Sequence, residues 1–465
     1  MFVNVVLTYN WRLHLMLKHF KLTTDKAESV MDKVSNYTHF MQVPLKCVGC
    51  WEWYQKPLNE FQIGVNNIYL SFSLFVLANL LLSLIVHLYC EWTDIMASLE
   101  IMADGLPLVA SVFIVSYFAI YRSELYELLN FMNGNFKWHS ARGLTNMTMT
   151  KAYKTSRKFS YFYTACTMFS IATYVFMPVV VHLWTNQPLQ HWIYKDVTQG
   201  LIVRLIFLRQ CIAQALVGLA VGQFGTLFAC NAILLCGQLD LLCCSLRNVR
   251  YTALLQHGVN HSVLASQFSD IELDEEHSYL YNRAEMSDSC YHYNKKWTNK
   301  GNKMHFDIYS SVYDNATTAA LKDCTLMSQV VLEYHNRFEK FVSPLLALRV
   351  VQVTLYLCTL LYAATSKLDM VTVEYLVAVS LDMFVYCYFG NQIILQADRV
   401  SLAAYQCTWF SMGVKPRRLL LNILLAHHKP MLVQAGGLLP MNLKTFVLII
   451  KTSFSYYTLL VKVNE

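Results

Sequence analysis

Long apolar segments alternate with polar connections along this chain of 465 residues. A helix needs about 20 mostly apolar residues to cross the hydrocarbon core of a membrane. Seven segments reach this length, so the pattern predicts an all-α membrane protein with seven transmembrane helices. The predicted spans are at about 66–90, 95–121, 159–184, 201–230, 341–364, 370–396 and 442–463.

Composition supports a membrane protein. Hydrophobic residues make up 55% of the chain and charged residues only 14%, whereas a soluble domain has about 25% charged residues. These values exclude a disordered chain, a nucleic-acid binder of the basic-patch type and most soluble enzymes. Cys47 and Cys50 form a C-x-x-C motif without a second pair, which argues against a zinc site. No enzymatic activity, cofactor or nucleic-acid partner is expected.

The distribution of positive charge predicts the orientation of the spans. Of the 37 Lys and Arg residues, 29 lie in alternate connections that share one side of the membrane, and only two lie in the connections on the other side. Cytoplasmic loops carry the excess of Lys and Arg. The N-terminus is therefore predicted to be cytoplasmic and the C-terminus extracellular, which is the reverse of a G-protein-coupled receptor.

The topology divides the chain into six segments with different expected roles. The fourth apolar segment stays helical to about Leu246, a length of about 69 Å that should project into the cytosol. Gly218, Gly222 and Gly225 on it have the spacing of close helix packing. The segments are a cytoplasmic N-terminal part at 1–65, helices one to four at 66–246, a partly disordered cytoplasmic loop at 247–318, helices five and six with a cytoplasmic extension at 319–396, a cytoplasmic segment with a short helix at 397–440, and the last helix at 441–465.

The last helix carries a polar stripe centred on Ser455. At 100° per residue, the stripe residues fall within about 60° of Ser455. They are Lys444, Leu448, Lys451, Thr452, Thr458, Leu459 and Lys462. Because lipid cannot solvate a lysine at mid-membrane, the stripe predicts contact with a water-filled pore. The alternative is a stripe that faces its own helix bundle, with the lysines reaching toward the membrane surfaces. Lysines also oppose cation flow, so a cation pore would need other subunits to dominate it.

Short motifs in the last third of the chain carry a family resemblance. They are Tyr388-Phe389-Gly390-Asn391, Trp409 ahead of the basic Lys415–Arg418, Ala435-Gly436-Gly437, and Ser455–Val463 at the end of the last helix. In order, spacing and inverted topology the chain resembles the insect odorant receptors, a seven-span chemoreceptor family. The related gustatory signature matches at Ser455-Tyr456, whereas Lys462 and Val463 depart from its Gln-Phe. The resemblance covers about 380–465 well and the remainder by span pattern.

The resemblance implies a tetrameric, ligand-gated, non-selective cation channel with a cytoplasmic anchor domain. Its last helix would line the pore, with Ser455, Leu459, Lys462 and Val463 as pore residues. The implied partners are a small volatile odorant, membrane lipid, and either the odorant-receptor coreceptor in a heterotetramer or further copies in a homotetramer. The implied location is the plasma membrane of an olfactory neuron dendrite. The coreceptor's ending, Val-Gln-Leu-Lys, is absent, so the chain is interpreted as an odour-binding subunit.

The family places its odorant pocket in the outer half of the second, third, fourth and sixth spans. Read from the topology, methionine and aromatic side chains there suit weakly polar ligands. The candidates are Met102, Tyr174, Met177, Cys211, Val371, Tyr375 and Ala378. Elsewhere in the spans, Arg349 and Glu374 are possible partners at opposite depths, and Asp382 is expected to bond to a neighbouring helix.

Two other functions remain open from the sequence. A gustatory-type receptor would share the fold but bind non-volatile ligands. A secondary transporter would usually show internal repeats and spans broken at mid-membrane. Its expected breaks are not evident, because Pro107, Pro178 and Pro344 lie in unrelated spans.

Overall fold

The computed structural model describes residues 37–54, 59–90, 95–141, 143, 146–185, 200–260, 263–264, 290–291, 310–366 and 370–464. Within these residues the chain is mostly α-helical, and short connections contain two antiparallel strand pairs and two single 3₁₀ turns, at Ser311–Tyr313 and Trp409–Ser411. The helices are α1 His39–Val48, α2 Glu60–Cys90, α3 Ile95–Ile120, α4 Arg122–Asn135, α5 Thr150–Thr185, α6 Gly200–Arg247, α7 Val249–Gln256, α8 Asp314–Ser366, α9 Met370–Gln406, α10 Val414–Ala426 and α11 Leu443–Asn464. Strand β1 (Asn146–Met147) pairs with β2 (Cys290–Tyr291), and β3 (Gln434–Ala435) pairs with β4 (Leu439–Pro440).

Each predicted span lies within one of the long helices α2, α3, α5, α6, α8, α9 and α11. Several helices extend well beyond the predicted span, since α8 has 53 residues and α6 has 48. Of the described residues, four helical stretches are by themselves long and apolar enough to cross a membrane. A fifth candidate is the pair α3–α4, which bends by 69° between its two helices. These four stretches are Glu60–Tyr89, Arg204–Arg247, Ser311–Leu361 and Leu376–Gln406.

Helix α6 forms the centre of the bundle, and 83% of an apolar segment of 18 residues within it is buried. Its glycines allow α5 to approach closely. A Cβ atom on Gly222 would lie 2.5 Å from Cγ2 of Thr167, and one on Gly218 would lie 2.6 Å from Cγ1 of Ile171. The close packing predicted from the small-residue spacing is therefore confirmed.

The first residues after α6 form the short helix α7, within the loop that the sequence analysis expects to be partly disordered. Arg250 on α7 is only 1% exposed. Its guanidinium donates to the hydroxyl of Thr317 at 2.8 Å and to the carbonyl of Ser310 at 2.7 Å. A buried guanidinium needs several acceptors, and these acceptors lie at the start of α8. The polar composition of this segment predicted a loop, because composition cannot show that Arg250 bonds to residues 60 and 67 positions away.

A short hairpin connects α10 to α11 and packs on α8. Gly436 and Gly437 at its tip have φ values of 62° and 70°, a conformation that glycine adopts without strain. Their N–H groups donate to the carbonyl and hydroxyl oxygens of Ser343 on α8. The Gly-Gly motif therefore fixes where α11 begins relative to α8.

His427, just after α10, is buried and titratable. Its Nε2 lies 2.9 Å from the hydroxyl of Ser328 on α8, and burial lowers its pKa from 6.5 to about 4. The unfolded chain therefore takes up this proton first as the pH falls. The neutral histidine's contribution to stability is fully present above about pH 6.5 and is lost toward pH 4, by on the order of 3 kcal/mol.

We expect His427→Gln to reduce this pH dependence, because glutamine can still bond to Ser328 but does not titrate. The remaining dependence comes from buried His335 on α8, whose pKa burial also lowers to about 4. The measurement is the thermal unfolding temperature of the detergent-solubilised protein across that pH range. The exposed neighbour His428 provides the control, because His428→Gln should change unfolding temperature with pH as the wild type does. Equal slopes for His427→Gln and wild type would show that another group controls the acid sensitivity.

Candidate functional site

A cavity of about 280 Å³ lies among helices α2, α3, α5, α6, α8 and α9. Pro107 on α3 and Gly218 and Gly222 on α6 contribute to its wall. Its volume lies just below the usual range of small-molecule sites, about 300–1,000 Å³. The cavity is therefore suited to the smaller organic ligands.

The walls of the cavity are mainly apolar, with polar groups at particular places. Side chains of three helices form the apolar part, namely Ile171, Val217, Val221, Ala378, Val379 and Leu381. Tyr174 on α5 and Gln214 on α6 form one polar place, where the amide Nε2 of Gln214 donates to the tyrosine hydroxyl at 3.3 Å.

A buried ion pair forms the other polar place. Nη2 of Arg349 on α8 donates to Oδ2 of Asp382 on α9, and Nη1 donates to Oε1 of Gln352. The hydroxyl of Tyr163 on α5 donates to Oδ1 of the aspartate at 2.6 Å. Arg349 is 3% exposed and Asp382 is 8% exposed. The two charges neutralise each other and tie three helices together around the cavity.

The structure brings some of the sequence-predicted pocket residues to this cavity. Tyr174 and Ala378 line it, whereas Cys211 lies on α6 and is not among the lining residues. The helical period of 3.6 residues shows which residues share a face of a helix, but it does not show which of two neighbouring turns lies at the depth of a cavity. The remaining predicted side chains, Met102, Met177, Val371 and Tyr375, lie outside the described side chains.

The ion pair between Arg349 and Asp382 was not predicted from the sequence. Asp382 does bond to a neighbouring helix as expected, and its partners are Arg349 and Tyr163. The sequence offered Glu374 as a partner for Arg349, and the side chain of Glu374 lies outside those described. A usable signal was present, because at 1.5 Å per residue Arg349 and Asp382 both fall near the middle of their predicted spans.

The polar stripe of α11 lies on the outside of the protomer. Lys444, Lys451, Ser455 and Thr458 are exposed. The opposite face is buried, and Ser453 donates to the carbonyl of Thr354 on α8 at 3.4 Å. The alternative in which the stripe packs into its own bundle is therefore wrong for these residues. Leu459, Lys462 and Val463 lie outside the described side chains.

Known proteins share this sequence pattern and fold. The family model described as "7tm Odorant receptor" matches residues 93–454. Odorant receptor 83a of Drosophila melanogaster is 24% identical over 75% of this chain and 76% of its own length, and putative odorant receptor 85e of the same species is 24% identical over 78% of each chain. The solved olfactory receptor OR5 from Machilis hrabei covers 92% of this chain with a TM-score of 0.65 at 13% identity, and 99% of that receptor is matched. Its complex with eugenol gives a TM-score of 0.66 at 14% identity.

These matches define the class of protein as an insect-type chemoreceptor of the membrane, not an enzyme. The family match spans more than half of the chain. The chain belongs to the 7tm odorant receptor family.

Proposed function

We propose that this chain is the odour-binding subunit of an odorant-gated, non-selective cation channel in the plasma membrane. A small volatile molecule binds in the cavity among α2, α3, α5, α6, α8 and α9. The observation that carries this proposal is the cavity itself, which combines small-molecule volume, apolar walls and a few fixed polar groups. The relative from Machilis hrabei described in complex with eugenol supports a small organic ligand.

The proposed ligand site includes residues inside and outside the described part of the cavity. Tyr174 supplies an aromatic face with a hydroxyl group, and Ala378 leaves space opposite the α6 glycines. The remaining proposed contacts follow from the predicted topology alone and are Met102, Met177, Cys211, Val371 and Tyr375.

The proposed pore is lined by α11 from each of four subunits. The exposed position of Ser455 and of the lysines before it supports this role, because charged side chains outside the protomer require water or another subunit. Leu459 and Lys462 belong to the predicted stripe, and the family resemblance adds Val463 as a further proposed pore residue. With the inverted topology that the charge distribution predicts, Lys462 would lie at the outer mouth of the pore.

The proposed partner is the odorant-receptor coreceptor in a heterotetramer, with self-association as the competing arrangement. The final helix lacks the coreceptor ending and supports the odour-binding role. The proposed site of action is the dendrite of an olfactory sensory neuron.

The test is to record current during an odour panel from cells that express the chain alone and with the coreceptor. Odour-evoked cation current with the coreceptor is expected. Current from the chain alone would identify a self-sufficient channel. Saturating uptake without channel current would contradict the proposal and favour a transporter.

Charge removal from the stripe tests the pore assignment. Lys451→Gln and Lys462→Gln should each raise the calcium permeability relative to sodium by about twofold per copy, because repulsion scales with ion charge and falls with distance. The measurement is the reversal potential when calcium replaces sodium. Lys158, an exposed residue of α5, provides the control, because Lys158→Gln should leave the reversal potential unchanged. Identical reversal potentials for all variants would assign the stripe to subunit packing.

A further inference from the structure

Gln352 on α8 has a fixed amide orientation at the cavity wall. Its Oε1 accepts from Nη1 of Arg349, so the amide nitrogen must point away from the guanidinium. Gln352 lines the cavity and is 6% exposed. Among the described residues no group accepts a hydrogen bond from its Nε2. Nε of Arg349 is also buried and without a partner among them. Because that Nε is fully enclosed, Nε2 of Gln352 is the unused donor that this part of the wall presents.

The charges beside Gln352 are already satisfied. Asp382 accepts from both Arg349 and Tyr163, and Arg349 donates to both Asp382 and Gln352. An anionic ligand would lose its hydration without gaining a free positive charge, because Asp382 already neutralises Arg349. A cationic ligand would likewise find the charge of Asp382 already neutralised by Arg349. Because desolvation of an ion is costly, the site disfavours charged ligands.

The apolar wall sets the remaining requirement. Ile171, Val217 and Val379 offer contact area and no hydrogen-bonding groups in their side chains. A ligand that fits both parts has an apolar body and a neutral acceptor oxygen at one end.

We propose that this cavity selects small neutral molecules with a hydrogen-bond acceptor oxygen, such as a ketone or ether, and that Gln352 is the residue that selects for it. The inference rests on the proposed odorant-binding function and adds the ligand class. In a cavity without a donor, a hydrocarbon would be preferred over a ketone of the same shape, because the ketone oxygen would lose its bonds to water. The donor of Gln352 offsets this loss.

Matched ligand pairs test the proposal. The pairs are acetophenone with ethylbenzene and cyclohexanone with methylcyclohexane, applied to the full-length receptor. Two readouts are needed, namely the evoked current and the ligand-induced rise in unfolding temperature of the purified protein. We expect wild type to respond to each ketone at the same or a lower concentration than to its hydrocarbon.

Gln352→Met keeps the length of the side chain and removes the donor. We expect it to shift the ketone-to-hydrocarbon ratio by about tenfold toward the hydrocarbon, the effect of one lost buried hydrogen bond. If Gln352 had a purely structural role, its replacement would weaken the binding of ketone and hydrocarbon equally and leave their ratio unchanged. Leu355→Met, on an exposed face of the same helix, is the matched control and should keep the wild-type ratio.

The outcomes separate this inference from the proposed function. A preference of wild type for both hydrocarbons, an unchanged ratio in Gln352→Met, or no stabilisation by either ketone would overturn the inference. Stabilisation by ketones without any evoked current would support the ligand class and contradict the channel function. If Gln352→Met does not fold, the wild-type preference in the purified protein decides the result.

Discussion

Arg349→Met should remove most of the receptor from the cell surface, since it leaves Asp382 buried without its cation. Breaking a buried ion pair costs about 3–5 kcal/mol, a large part of a typical stability of about 5–15 kcal/mol. The hydroxyl of Tyr163 would still donate to the carboxylate but supplies no charge. The measurement is surface biotinylation, together with the unfolding temperature of the solubilised protein.

Two further variants separate the loss of the pair from a general effect of substitution. The double variant Arg349→Met with Asp382→Leu removes both charges and should regain part of the surface expression. Arg337→Met on the same helix breaks an exposed pair with Glu333 and should cost less than about 1 kcal/mol. Normal surface expression of Arg349→Met alone would contradict a structural role for the buried pair.

Gly390→Ala should strongly impair assembly or gating, because a methyl group has no space there. A Cβ atom on this α9 residue would lie 2.2 Å from the carbonyl oxygen of Met441, two residues before α11 begins. A backbone oxygen cannot rotate away as a flexible side chain can, so α9 or the start of α11 must shift. Overpacking of this kind costs on the order of 3 kcal/mol. The measurement is surface expression and odour-evoked current density.

Gly134→Ala on α4 is the matched control, because no described atom lies within 4 Å of its added Cβ. It should be neutral or slightly stabilising, since alanine has the higher helix propensity. If Gly390→Ala gave current density and surface expression equal to those of Gly134→Ala, the contact between α9 and the start of α11 would not control the position of the last helix.

Hydropathy and spacing were sufficient to predict the helices. The apolar runs predicted all seven long helices, and the Gly218 and Gly222 spacing predicted the close contact with α5. The cytoplasmic extension of α8 was expected from the sequence, but the extensions of α5 and α9 were not, because there exposed charged residues alternate with buried ones and interrupt the apolar run. Helix α7 was also missed, because the partners of Arg250 lie far away in sequence.

The site was only partly predictable. A position along a helix gives depth in the membrane but not which neighbour the side chain faces, so Tyr174 and Ala378 line this cavity whereas Cys211 does not. That these residues bind an odorant stays a prediction. The pairing of Arg349 with Asp382 requires knowledge that α8 and α9 are adjacent with those faces together. The free donor of Gln352 follows only from its bond to Arg349, which no local pattern encodes.

The most direct test of the central claim is to fill the cavity and measure odour sensitivity. Ala378 lines the cavity, whereas its neighbour Val377 is 62% exposed on the outside of α9. With equal surface expression, Ala378→Phe should raise the half-maximal concentration of the best agonist from an odour panel by about tenfold or more. The ring occupies ligand space and removes apolar contacts that are worth roughly 1–3 kcal/mol of binding free energy. Val377→Phe should leave the dose–response curve in place. Coincident curves for wild type, Ala378→Phe and Val377→Phe would show that the odorant binds elsewhere.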